Sequence, residues 1–133
     1  MKNRVIIFVG ILFFAYPTYA ISNSFFCDVT SFSHTTQLDE GSNFVANNLK
    51  KKYLITTKEK NIIVSQIGDE NEPNQRIFNI ITNDKWGLTG LINNGLWWEI
   101  IFLSDKDDET ISVTITILTF AFVNAWVLGC KKV

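Results

Sequence analysis

Thr110-Ile-Ser-Val-Thr-Ile-Thr-Ile117 alternates without a break: Ile111, Val113, Ile115 and Ile117 on one side, Thr110, Ser112, Thr114 and Thr116 on the other. Successive side chains of a strand point to opposite faces, so this is the pattern of a strand with one face buried and one wet. The stretch also begins a rival reading. Ile111 to Gly129 carries no charge, with Asp107-Asp108-Glu109 before it and Lys131-Lys132 after it. That length approaches the roughly 20 apolar residues of a membrane-spanning helix, and the flanking charges suit an outside-to-inside orientation. The Ser/Thr alternation, the β-branched face, Asn124 and the placing of Cys130 on a reducing side all argue against it. Two strands, Thr110 to Ile117 and Phe120 to Cys130, are the favoured reading. A membrane-tethered envelope protein anchored by residues 111–129 is the alternative.

Working back from Thr110, the chain repeats the same design. Asp105-Lys-Asp-Asp-Glu109 reads as a solvated turn, and Leu96 to Leu103 as a strand before it. Asn93-Asn94-Gly95 is the sharpest hairpin signal, because Asn-Gly favours the positive φ angles of a type I′ turn. Further strands are expected at Trp86–Ile92, Arg76–Thr82, Asn61–Ile67, Lys52–Lys58 and Phe25–Ser33, with Gly68–Gln75 as a loop. A short helix is expected near residues 42–50, capped by Ser42, with Phe44, Val45 and Leu49 turned inward. Gly87 and Gly90, inside a strand, mark a bend or bulge. The sum is an all-β fold: a small antiparallel meander of seven to eight strands closing into a barrel or a sandwich.

Residues 1–20, MKNRVIIFVGILFFAYPTYA, have the anatomy of a secretory signal peptide. Lys2 and Arg4 give the positive start, an apolar run follows, and Thr18 and Ala20 suit a cleavage site. Residues 21–133 are then a single exported β domain, periplasmic or secreted. In an oxidising compartment Cys27 and Cys130 are most simply one disulfide between the first and last strands. Closing a loop of about 100 residues is worth about 4–5 kcal/mol in the chain-entropy model.

Composition removes whole classes of function. The chain has 133 residues with 12 basic against 13 acidic side chains, so it has no basic field for nucleic acid. One histidine and two cysteines leave no zinc cluster, and neither a metal nor another cofactor is expected. His34 has Ser31, Ser33 and Asp28 nearby, but no nucleophile elbow accompanies them, and no catalytic residue is assigned. The acidic groups Asp69-Glu70-x-Glu72 and Asp105-x-Asp107-Asp108-Glu109 lack the glycine and glutamate of a calcium loop. They read as hairpin tips; a carboxylate-based envelope hydrolase is the lesser alternative.

Aromatic residues supply the candidate site. Trp97 and Trp98 are adjacent in a strand and point to opposite faces. Trp98 shares a face with Leu96, Ile100 and Phe102, which reads as core. Trp97 shares the other with Glu99, so Trp97, Glu99 and Trp86 are the expected binding surface for an envelope or extracellular protein.

In layout the chain resembles small exported bacterial β-proteins, with Phe25-Phe26-Cys27 at the start and Gly129-Cys130-Lys131 at the end. It also resembles the periplasmic lysozyme inhibitors, which are small exported β-barrels, but lacks their serine-glycine loop. The resemblance implies architecture and transfers no functional residue. The function expected is a binding or inhibitor module and not an enzyme.

Overall fold

The computed structural model describes residues 22–36, 41, 43–68, 75–105, 107 and 109–133. The signal read over residues 1–20, the Ser42 cap and the Asp69-Glu70-x-Glu72 run lie outside the described residues. The elements are β1 (Asn23–Thr36), α1 (Asn43–Leu49), β2 (Lys52–Thr57), β3 (Asn61–Ile67), β4 (Gln75–Asp84), β5 (Gly87–Asn93), β6 (Trp98–Asp105), β7 (Thr110–Leu118) and β8 (Phe122–Lys132). The eight strands form one closed antiparallel barrel in chain order, so of barrel and sandwich the chain makes a barrel. Residues 111–129 are β7, a tight turn and β8, which corrects the spanning-helix alternative. Among the described residues no helix is long and apolar enough to cross a membrane.

Alternation builds the core. Ile111, Val113 and Ile115 of β7 point inward, as do Tyr53 and Ile55 of β2, Ile62 and Val64 of β3, Phe78 of β4, Ile101 and Leu103 of β6, and Trp126 and Leu128 of β8. Each such side chain taken from water contributes about 1.5–3 kcal/mol. The interior is filled. A Cβ at Gly90 would meet Phe78 Cβ at 2.8 Å and Ile101 Cγ2 at 2.9 Å, so only glycine leaves room there. The bulge expected near this glycine lies on its partner strand: the β4–β5 register shifts between Ile80, opposite Gly90, and Thr82.

β1 and β8 close the barrel along a ladder from Phe25↔Lys132 to Thr36↔Phe122, with one shift between Val29 and Ser31. Thr30 donates its hydroxyl to the Val127 carbonyl at 3.0 Å, which satisfies the backbone at that bulge. Cys27 and Cys130 face each other across this seam and form the disulfide, with Cα atoms 4.1 Å apart. That distance is close to the roughly 4.5 Å of the narrow kind of antiparallel pair. The disulfide is consistent with an oxidising compartment outside the cytosol.

Three local expectations are corrected. The β5–β6 turn is not type I′: among the described residues only glycines have positive φ, and in this turn that is Gly95, at 86°. Asn94 Oδ1 instead accepts the N–H groups of Leu96 and Trp97, both at 3.0 Å, and this side-chain bridging lengthens the connection. Asn93 then pairs with Trp98, and the register fixes the second correction: Glu99, Ile101 and Leu103 line the interior, while Trp98 and Phe102 face outward. Both faces of this strand are apolar, so alternation alone could not choose between them; Ile101, over Gly90, does. The third concerns α1. It buries Asn48 and half-buries Phe44, whereas Val45 and Leu49, one stripe further round, are exposed.

Candidate functional site

A meander sends alternate connections to opposite ends of its barrel. One end, the helix end, carries α1 and the β3–β4, β5–β6 and β7–β8 connections. The termini end carries the β2–β3, β4–β5 and β6–β7 turns, the start of β1 and the end of β8. The three expected site residues are divided between them. Trp86 sits in the β4–β5 turn and Trp97 in the β5–β6 turn, separated by the seven residues of β5, or about 20 Å. Trp86 therefore does not join Trp97 and Glu99 in one surface.

At the termini end Trp86 is 71% exposed. Its backbone N–H donates to Asp84 Oδ1 at 2.8 Å, and Lys85 Nζ stands 4.9 Å from the centre of its ring. A shallow cavity of about 260 Å³ opens here, with Asp84, Asp105 and Lys85 on its rim and Phe25, Leu103 and Ile111 at its floor. Asp107 is likewise bound into its turn, accepting N–H groups of Glu109 at 2.9 Å and Thr110 at 2.7 Å. The carboxylates Asp84 and Asp107 thus hold hairpins in shape.

The helix end differs. Glu99 is 8% exposed, inside the barrel mouth. Arg76 of β4, also inward, donates to Glu99 Oε2 at 2.9 Å. The Trp97 indole N–H donates to Glu99 Oε1 at 3.3 Å. Tyr53, almost fully buried, lies beside Arg76. Burial pushes its phenol pKa above the ordinary 10.0, and the charge and hydrogen bond of Arg76 oppose that rise. Tyr53 and Arg76 border a cavity of about 250 Å³ whose walls also include Lys51, Gln66, Gln75, Ile117 and Trp126. Helix α1 braces one side. Asn48 accepts the Trp126 indole N–H at 3.2 Å and donates to the Phe44 carbonyl at 2.9 Å. Phe44 packs edge-on against Phe32 and His34, and His34 Nδ1 lies 3.2 Å from Asn124 Oδ1 across the seam. His34 is thus part of this joint, while Ser31 and Ser33 are exposed.

Two of the hairpin tips at that mouth, those of β5–β6 and β7–β8, are apolar. Phe120 is 98% exposed and Leu96 76%. Trp98, Leu118 and Val123 stand in register on three adjacent strands below them, all exposed. Neither tip, residues 94–97 or 119–121, contains a charge.

Arg76 and Tyr53 are the residues the sequence reading missed. A signal for Arg76 existed: it shares strand parity with Phe78 and Ile80, as Glu99 does with Ile101 and Leu103. Two opposite charges on otherwise apolar inward faces point to a pair. Tyr53 alternates with Ile55 and offered no such mark.

Comparison with known proteins found no matching family model, no matching curated protein and no matching solved structure.

Proposed function

We propose that the chain is an exported binding module, periplasmic or secreted, that engages a protein partner through its helix end. The observation that supports this is the cluster of exposed apolar side chains on two neighbouring uncharged tips, Leu96, Trp97 and Trp98 on one and Leu118 and Phe120 on the other. A filled barrel has no use for them in its own core. Large exposed apolar patches on small domains mark interaction surfaces, and tryptophan is enriched where binding energy concentrates. Arg76, Glu99 and the Trp97 indole form a rigid polar base beneath the patch, which gives such a surface orientation as well as contact area. The termini end, with its charged turns, stays in solvent. The reading needs no cofactor.

The test is co-precipitation from envelope and culture fluid with the mature wild-type protein and with Leu96→Ser/Phe120→Ser. The expected outcome is a band recovered by the wild type and by Trp86→Ala but lost with the double variant. Equal recovery by all three proteins contradicts the reading.

A further inference from the structure

The outer wall of the barrel is uneven in charge. On β1 and β2 the outward Asp28 and Lys52 form an ion pair at 3.3 Å. Along β5 to β8 the charged side chains are Glu99, which is buried, and Asp105, Lys131 and Lys132, which come at strand ends. Between those ends the outward positions carry no charge. Leu91, Ile100, Thr116 and Ala125 form one cross-strand row, and Phe102, Thr114 and Val127 lie in the next, all exposed or half-buried. A soluble surface is about 25–35% charged, and depletion of charge is the compositional mark of an interface core.

The wall is also stepped. Its large side chains, Leu91, Ile100 and Phe102, stand on β5 and β6, and its small ones, Thr114, Thr116 and Ala125, on β7 and β8. The Phe102 ring is set over Gly87, where an added Cβ would lie 3.0 Å from it. A ridge beside a trough is self-complementary. A two-fold axis running along the strands between β6 and β7 seats each ridge in the other copy's trough, so that Ile100 meets Thr116 and Phe102 meets Thr114 of the second copy. An axis across the strands would set ridge on ridge. A two-fold contact also brings like residues near one another, which a wall without charge tolerates. The closed barrel leaves no strand edge to pair, so copies can meet only by their faces. Four strands by about seven residues give roughly 450 Å² in projection on each copy. Side-chain relief adds to this, which brings the contact to the weak end of specific interfaces, near about 1,000 Å² in total.

We propose that the β5–β8 wall is a homodimer interface, with a second copy of this chain as its occupant and the ridge of each copy in the trough of the other. The two barrels then lie side by side with both helix ends facing the same way. The dimer presents two sets of apolar tips together. The proposal goes beyond the partner reading and does not rest on it: a monomeric protein could still bind through Leu96 and Phe120.

The experiment is sedimentation velocity on the mature protein from about 10 µM to about 1 mM, the span of weak complexes, with amide chemical shifts followed on dilution. A monomer–dimer equilibrium is expected, with shifts confined to β5–β8. Thr116→Lys should weaken association about tenfold or more, because each copy would set a charge against an apolar ridge. Phe102→Ser should weaken it as well. Ile77→Lys, the same charge change at an exposed position of β4, should dimerise like the wild type. Circular dichroism checks that each variant is folded. A monomer at every concentration, dilution shifts outside β5–β8, or undiminished association of the folded Thr116→Lys and Phe102→Ser variants overturns the proposal. So does a monomer whose β5–β8 shifts change when residues 1–20 are retained, since that wall would then be covered by the chain's own N-terminal segment.

Discussion

The two ends of this barrel are made from the same strands and differ in two of their hairpins and in what they draw inside. At the termini end, charged side chains stand in water on the hairpins, and Asp84 and Asp107 fasten the turns that carry them. At the helix end the described hairpin tips are uncharged and apolar, while an arginine and a glutamate are drawn inside the mouth. The first arrangement is what folding asks of a meander: polar loops outside, apolar faces within. The second breaks that rule twice, with apolar groups exposed and charged groups buried. Departures from local consistency that have no structural return concentrate at functional sites. The difference between the ends is therefore the reason to place binding at one of them.

The comparison can be broken by substitutions at either end. The largest effect belongs to the termini half of the seam. Cys27→Ser/Cys130→Ser should cost about 2–5 kcal/mol and lower the Tm in calorimetry. The β1–β8 ladder is long, so circular dichroism should still show a β-fold at low temperature. Loss of strand signal in the folded range would make the disulfide, and not the ladder, responsible for closure.

Next comes the buried pair. Arg76→Met alone leaves Glu99 charged and without its cation partner and should cost about 3 kcal/mol in urea unfolding. Arg76→Met/Glu99→Leu should return to within about 1 kcal/mol of the wild type. If the double variant were as unstable as the single one, the pair would be part of the barrel's own stability and the contrast between the ends would lose its meaning.

Asn48→Ala should cost about 1 kcal/mol, because the Trp126 indole N–H loses its acceptor. Trp126 emission should shift with it. The smallest effect is one of pH. The Tyr53 phenol is raised in the folded state, so its contribution to stability is fully present below the ordinary value of 10.0 and is lost as pH rises through the folded value. Tyr53→Phe should flatten the fall in stability above about pH 10. An unchanged alkaline limb would show that Tyr53 does not titrate differently in the folded chain.

The order of the strands was written plainly in the sequence, because short alternating runs between polar turns admit few other folds. β3 was read to the residue and β7 to within one, and the Cys27–Cys130 pair followed from two cysteines near the ends of an exported chain. Which face of β6 turns inward was not legible. That depends on a hairpin whose Asn94 side chain bridges the turn, and on Gly90 making room across the ladder. The site inherited the same ambiguity. Glu99 and Trp97 were singled out, but as a surface pair; the inward tie of Glu99 to Arg76 joins strands that are not neighbours, and no spacing along the chain encodes it. Trp86 was grouped with them because it is near in sequence, and β5 carries it to the far end.

The central claim is that this protein meets its partner at the helix end. Site-specific photo-crosslinking tests it most directly. A photoreactive amino acid is placed at Phe120 in one full-length variant and at Trp86 in another, each is expressed in its own compartment and illuminated, and adducts are resolved by mass. The account predicts a discrete adduct from position 120 and none from position 86. An adduct from position 86 with none from position 120 would contradict it and move the binding surface to the charged end.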